Sequence, residues 1–286
     1  MFPFFFIILV LSVTASHDMG NAPLTRFIFG GTHAYTGQWP SQVLFYTKKA
    51  STGKTYMCGG TLLTSNHVLT AAHCTDDLAS PSLVVTGATS TSGLSKNPKV
   101  QIREVTSFFR HPHYDPNDTY VHDIAVLTLS KPVSINKNTQ IARILADDSR
   151  LLEVGHGVVS GFGAHKVEKN RSLNNGLLSW VDVPFKEHTS CTSEWESSSG
   201  GKVHIKPNHI CYGAEGKGTG TGDSGGPIQV KAGRAWYQIG VISFGVGVVQ
   251  RMTQQDKYPS VGTRIAPYCG FLERVTKNVF KCLQNT

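Results

Sequence analysis

The chain has 286 residues, of which 40% are hydrophobic and only 16% charged. That balance supplies a core and excludes an intrinsically disordered chain. The formal net charge of +8 comes from dispersed Lys and Arg, with no run longer than Lys48-Lys49. It reads as a basic solvated surface, and no nucleic-acid partner is expected.

The chain begins MFPFFFIILVLSVTASHDMG. Its apolar part, Phe2 to Val13, is shorter than the roughly 20 residues that cross a bilayer. Val13-Thr14-Ala15 offers small residues for cleavage, so residues 1–15 read as a signal peptide and not a membrane anchor, although the usual basic n-region is missing. A secreted, extracellular protein follows from that reading. Its six cysteines then read as disulfides. Two sequons, at Asn117 and Asn170, fit the same compartment, but each is a short pattern with a high chance rate.

From about Gln38, short apolar runs alternate with turn clusters. SQVLFY (41–46), SLVVTGA (82–88), DIAVLTL (123–129), GLLSWVDV (176–183) and YQIGVISFG (237–245) are rich in β-branched and aromatic residues. This is the pattern of an all-β sandwich or barrel protein. At the C-terminus, Phe271, Val275, Val279 and Leu283 recur every four positions and predict a helix docked on the body of the domain.

Three local patterns carry chemistry. LTAAHC holds His73, HDIAVLTL opens on Asp123, and TGDSGGP holds Ser224. Each alone has a plain explanation: a surface histidine, a turn aspartate, a loop serine. Together they supply a base, an orienting acid and a nucleophile. A serine hydroxyl needs a base to take its proton and N–H groups aimed at the developing oxyanion. Gly222, Gly225 and Gly226 allow that tight backbone. Asp223, adjacent to Ser224, is set aside as the orienting acid because neighbouring side chains diverge. It calls for another cationic partner.

With IFGGTHAYTGQWPSQV, CGGTLLTSNHVLTAAHC, SGFG and ISFG in the same order, the chain from Ile28 onward resembles the trypsin/chymotrypsin family of secreted serine endopeptidases. The resemblance implies two packed six-stranded antiparallel β-barrels with the active site between them. It implies a domain over 28–286, with 16–27 as a pro-segment and no cofactor or metal. His73, Asp123 and Ser224 would be catalytic, with the oxyanion hole at the N–H groups of Gly222 and Ser224. Ser243 would support Asp123 and begin the substrate-binding strand Ser243-Phe244-Gly245. Phe244 stands where the family usually has Trp. Protein or peptide substrates, an activating protease, protein inhibitors and a monomeric state are the implied partners and assembly. The alternative is a catalytically silent binding protein on the same fold, but such relatives usually lack a triad residue.

The resemblance also implies the disulfides Cys58–Cys74 and Cys191–Cys211. The family bridge beside the nucleophile is absent, with Gly220 at one Cys position, and another is absent at Gly157 and Val230. For Cys269 and Cys282 three readings stay open. One continuous helix would hold them about 20 Å apart, beyond the roughly 7 Å a disulfide spans. So either the tail folds back, or the thiols are free, or they pair with another chain.

For the S1 pocket the resemblance places Gly218 at the floor, where trypsin-like members carry Asp. Thr219 is small, Gly245 leaves the entrance open and Ser260 takes up wall space. An uncharged aromatic or medium aliphatic P1 side chain is expected. Activation would free Ile28, whose ammonium would pair with Asp223. The cut would follow Phe27, or would follow Arg26 with Phe27 trimmed or accommodated.

Overall fold

Apolar runs of five to ten residues are too short for one broad sheet, and turns at their ends fold them back on themselves. The computed structural model describes residues 28–284. The expected signal peptide and pro-segment, including Arg26 and Phe27, lie outside the described residues. A two-residue strand β1 (Thr32–His33) comes first. Then follow β2 (Gln42–Lys49), β3 (Thr55–Thr64), β4 (His67–Thr70), β5 (Leu78–Thr86), β6 (Gln101–Arg110) and β7 (Ala125–Leu129). These six strands close in the order β2-β3-β4-β7-β6-β5. Val43, Phe45, Leu62, Leu69, Val126 and Leu127 fill that barrel and are fully buried or nearly so.

After the short helix α1 (Ser149–Leu152) come β8 (His156–Gly161), the small hairpin β9 (Lys166–Glu168) and β10 (Arg171–Leu173), and β11 (Ser179–Lys186). Helix α2 (His188–Ser199), β12 (His209–Tyr212), β13 (Pro227–Ala232), β14 (Ala235–Phe244), β15 (Ser260–Arg264) and helix α3 (Cys269–Val275) complete the chain. The second barrel runs β8-β11-β12-β15-β14-β13 and closes because β13 pairs with β8. All named strand pairs are antiparallel, so the expected two-barrel architecture is observed.

The barrels meet through buried polar pairs. Thr61 of β3 donates to Gln238 of β14 at 2.8 Å, and Ser160 of β8 donates to Gln42 of β2 at 2.7 Å. A paired buried amide fixes register more sharply than apolar contact, because a small slip leaves it unpaired. The two ends of the chain cross over. Ile28 packs in the core of the second barrel and β1 pairs with β11. Tyr268, Leu272, Phe280 and Cys282 pack on the core of the first.

One expectation needs correction. The C-terminal helix does not run to Leu283. It ends at Val275, where Thr276 Oγ1 donates to the Leu272 carbonyl at 2.8 Å. Lys277 and Asn278 then take positive φ of 52° and 63° and reverse the chain. Cys282 thereby reaches Cys269, with 5.9 Å between their Cα atoms, and the open question resolves as an intrachain disulfide from a folded-back tail. Leu283 hydrogen-bonds to Ile144 and Ala146 of the first barrel, while Val279 is left 70% exposed. Helix α2 was not anticipated from the sequence. Its sequence HTSCTSEWESSS carries just two buried residues, Cys191 and Trp195, and reads as a polar loop. The Cys191–Cys211 disulfide ties it to β12, and the Cys58–Cys74 disulfide is formed as expected. Among the described residues no helix is long and apolar enough to cross a membrane.

The tail is held by its disulfide more than by its short helix. Replacing Cys269 and Cys282 with Ala is expected to lower stability by about 2–3 kcal/mol, the scale for a closed loop of roughly 15 residues. Urea unfolding checks the loss, and non-reducing peptide mapping checks the pairing.

Candidate active site

The base comes first in the chain. His73 sits in a single 3-10 turn, Ala72–Thr75, directly after β4. The Cys58–Cys74 disulfide pins that turn to β3. The backbone N–H of His73 donates to Asp123 Oδ1 at 2.9 Å, and its Nδ1 lies 2.7 Å from Asp123 Oδ2. A carboxylate can only accept, so Nδ1 carries the proton and Nε2 is left as the basic nitrogen. The sulfurs nearest the ring belong to the disulfide and are not available as thiolate ligands.

Asp123 lies just ahead of β7, where His122 turns the chain at a φ of 57°. It is completely buried. Its Oδ2 also accepts from Ser243 Oγ at 2.5 Å, and its carbonyl accepts from Thr263 Oγ1 at 3.1 Å. Ser243 lies on β14, one residue before its end, and Thr263 lies on β15, so the second barrel supplies two of the groups that hold a residue of the first. Burial alone would raise the Asp123 pKa. The charge and hydrogen bonds of His73, with the Ser243 hydroxyl, overcome it and hold the carboxyl below its ordinary value. Burial likewise disfavours a charged His73, but Asp123 outweighs it and the imidazole is raised above 6.5.

Ser224 stands in the turn between β12 and β13, flanked by Gly222 and Gly225 with φ of 98° and 84°. These are left-handed conformations that favour glycine. The turn abuts the first barrel: Gly59 N donates to Ser224 O at 2.7 Å. A Cβ on Gly225 would fall 2.5 Å from the Gly59 carbonyl, and one on Gly59 would fall 2.8 Å from the Gly226 backbone. Close approach therefore demands glycine on both sides of the cleft.

Asp223 turns away from the cleft and is fully buried. It accepts from the backbone N–H of Gly163 at 2.7 Å and of Gly220 at 2.9 Å. A Cβ on Gly161 or Gly163 would fall 2.1 or 2.5 Å from its carboxylate, so that cradle fits only glycine. No cation pairs with it among the described residues, and burial pushes its carboxyl up to about 7. Ile28 is buried, and Phe29 lies against Gly220 while its carbonyl accepts from Gly218 N at 3.1 Å.

A cavity of about 260 Å³ opens beside Ser224. Of the expected pocket residues, Thr219, Ser243, Phe244, Gly245 and Ser260 line it, beside Gly222 and Ser224 of the expected oxyanion hole. Gly218 does not, and Gln255 lines the pocket where it was expected. A Cβ on Gly218 would fall 1.8 Å from Gln255 Oε1, because the Gln255 amide occupies that space. Gln255 was not read as a site residue because it stands in the polar stretch TQQDKY, which looks like a surface turn. Tyr120 was missed too. Its ring stacks on Phe244 at 5.8 Å and meets His73 edge-on at 5.7 Å, forming a wall beside the base.

The family model described as Trypsin matches residues 28–272. The chain is 31% identical over 268 residues to "Chymotrypsin-like elastase family member 1" of Canis lupus familiaris, covering 92% of this chain and 98% of that protein. The same-named protein of Felis catus is 31% identical over 277 residues, covering 94% and 97%. "Serine protease 7" of Drosophila melanogaster is 30% identical over 232 residues, covering 75% of this chain and 56% of that one. The two barrels, the cleft between them and this match lead to one conclusion: the chain belongs to the trypsin family of serine endopeptidases.

Proposed function

We propose that the protein is a secreted endopeptidase, made as a zymogen, that cuts beside uncharged P1 side chains by acyl-enzyme chemistry. The observation that carries this reading is the buried Asp123 carboxylate. It holds the His73 Nδ1–H at 2.7 Å and so leaves Nε2 as the basic nitrogen that would take the Ser224 proton. In the proposed cycle His73 takes the Ser224 proton as Oγ attacks the scissile carbonyl carbon. The negative charge then develops on the carbonyl oxygen, facing the N–H groups of Gly222 and Ser224. The protonated His73 gives its proton to the leaving amine, and water repeats the sequence on the acyl-enzyme. Asp123 stabilises the imidazolium throughout and keeps its own proton off.

The neutral pocket supports the P1 preference. No acidic side chain lines the cavity, so a buried Arg or Lys would find no counter-charge. Secretion and an N-terminal signal peptide agree with three disulfides. Asn117 and Asn170 are both exposed and could carry glycans in that compartment. An activating protease, protein inhibitors and a monomeric state remain part of this reading.

The zymogen reading rests on Asp223. Among the described residues this fully buried carboxylate is held by two backbone N–H groups and meets no cation. A new ammonium at Ile28 would supply one; Ile28 is already buried, and its neighbour Phe29 is buried against Gly220 of the cradle. Cleavage after Phe27 gives that terminus directly. Cleavage after Arg26 leaves one residue more, up to about 3.5 Å of extended chain, which must be trimmed or accommodated.

Three measurements test these statements. A fluorophosphonate probe is expected to label Ser224 in activated protein, and Ser224→Ala is expected to lose labelling and on the order of 10⁶ in kcat. Absence of labelling would favour the silent binding protein.

Because His73 must be neutral to act, kcat/KM is expected to fall as pH drops through a midpoint above 6.5. A midpoint below that value would mean that burial of the imidazole outweighs Asp123, and no fall at all would overturn the assignment of His73 as base.

In uncut Ser224→Ala protein, the raised Asp223 carboxyl binds its proton more tightly folded than unfolded. Its stabilising contribution is full below the ordinary 3.8 and is lost as pH rises through about 7. Asp223→Asn is therefore expected to gain on the order of 2–3 kcal/mol relative to its parent between pH 5 and pH 8, read by urea unfolding. In the cut enzyme the same change is expected to abolish activity.

A further inference from the structure

Gln255 is only 2% exposed although its neighbours, Gln254, Asp256 and Lys257, read as a solvated turn. A buried primary amide is costly unless its donors and acceptor are paired. Here they are. Nε2 donates to the Thr219 carbonyl at 2.6 Å and to the Met252 carbonyl at 3.0 Å. Oε1 accepts from Ser260 Oγ at 2.7 Å. Ser260 Oγ in turn accepts from Thr219 Oγ1 at 3.0 Å, and the buried Tyr212 hydroxyl lies 3.0 Å from Thr219 Oγ1. The two carbonyls fix the orientation, since a flipped amide would set oxygen against oxygen. The hydroxyls then run in one direction, from Tyr212 through Thr219 and Ser260 to Gln255. With each donor already engaged, the floor presents no charge and no free donor.

The surrounding backbone is shaped to admit this side chain. A Cβ on Gly218 would fall 1.8 Å from Oε1, and one on Gly213 would fall 2.7 Å from the Gln255 Cβ. Both glycines have positive φ, 147° and 124°. The same two segments are also stitched by backbone: Gly216 N donates to Thr253 O, and Glu215 bridges Gln254. Neither the Gly213–Gly220 segment nor the stretch between Gly245 and Ser260 contains a cysteine, so these hydrogen bonds do the joining.

We propose that Gln255 is the specificity-determining residue of the pocket. Its amide plugs the floor, so that the pocket admits medium uncharged side chains such as Leu in preference to Tyr and Trp. It also ties together the two walls that a P1 side chain would enter between. A cationic P1 group would meet no counter-charge there, and a carboxylate would meet no donor. The substrate part of the proposal rests on the protease reading above.

The test is kcat/KM on peptides identical except for P1 Leu, Phe, Tyr or Trp, measured for wild type, Gln255→Ala and Gln255→Met. Gln255→Ala opens the floor, and the Trp-to-Leu ratio is expected to rise at least about tenfold, the scale of one or two methylenes of pocket space. Gln255→Met refills the volume without the amide. Its ratio is expected to stay within about threefold of wild type while its melting temperature falls. A Gln255→Ala ratio within about threefold of wild type, or an equal shift in both variants, would overturn the plug. Should Gln255→Ala not fold, Gln255→Asn shortens the side chain by one methylene and is expected to shift the ratio in the same direction. Indole binding to the Ser224→Ala protein reads the pocket without turnover, and adding Gln255→Ala is expected to tighten it at least about tenfold. If wild type neither turns over nor labels with fluorophosphonate, the protease reading fails, and indole binding alone decides the plug.

Discussion

One buried carboxylate sets the relation between the two barrels. Asp123 belongs to the first, yet it accepts a hydroxyl from Ser243 and gives its carbonyl to Thr263, both of the second. The remaining donors come from His73, through its backbone and its ring. An ionised group removed from water costs several kcal/mol unless such partners are in place. A shift of one barrel against the other by an ångström would leave that charge with the His73 donors alone and its Ser243 hydroxyl bond broken. The cleft geometry is thus a condition for burying Asp123, not an ornament added to a finished fold. The polar pairs Thr61–Gln238 and Ser160–Gln42 enforce the same register elsewhere along the interface.

The crossing chain ends work in the same direction. The N-terminal segment is built into the second barrel and the C-terminal tail into the first. Each barrel is therefore closed off by chain that continues into the other, which makes independent motion of the two expensive. Glycines then set how near the nucleophile turn can approach. Gly59, Gly225 and Gly226 leave backbone against backbone where any side chain would intrude. Ser224 is held at the cleft by this contact on one side and by the Asp223 turn on the other.

Most of this was legible in the chain because the decisive signals are local. Alternation of apolar residues with turn residues marks strands whatever their partners. LTAAHC, HDIAVLTL and TGDSGGP each lie within a few residues, and their order along the chain suffices to suggest the chemistry. What escaped depends on distant partners. The pocket floor was read at Gly218 because the resemblance pointed there, but a glycine has no side chain to fill a space, and the filler came from Gln255 in a polar loop. The C-terminal stripe was truly helical in period. A four-residue period cannot show that Thr276 would cap the helix or that a disulfide would draw Cys282 back. Helix α2 hid for the opposite reason: two buried residues among serines leave almost no periodic signal.

Gly218 connects two of the proposed functions. Its N–H donates to the Phe29 carbonyl, and the face its side chain would occupy is filled by the Gln255 amide. Docking of the N-terminal segment and closure of the pocket floor therefore meet at one residue. A glycine at a φ of 147° has a wide range of alternative conformations, so its position must be imposed by both neighbours. On the proposed reading, seating of Ile28 and Phe29 would hold the Gly218 backbone in place. The Gln255 network would then have a fixed surface to close against. A covalent bridge would hold the pocket walls whether or not the terminus were seated. Hydrogen bonds from one amide hold them only while each partner is in position. The absence of cysteines from the Gly213–Gly220 and Gly245–Ser260 segments thus ties the pocket's shape more closely to activation, because floor and activation segment share a single backbone position.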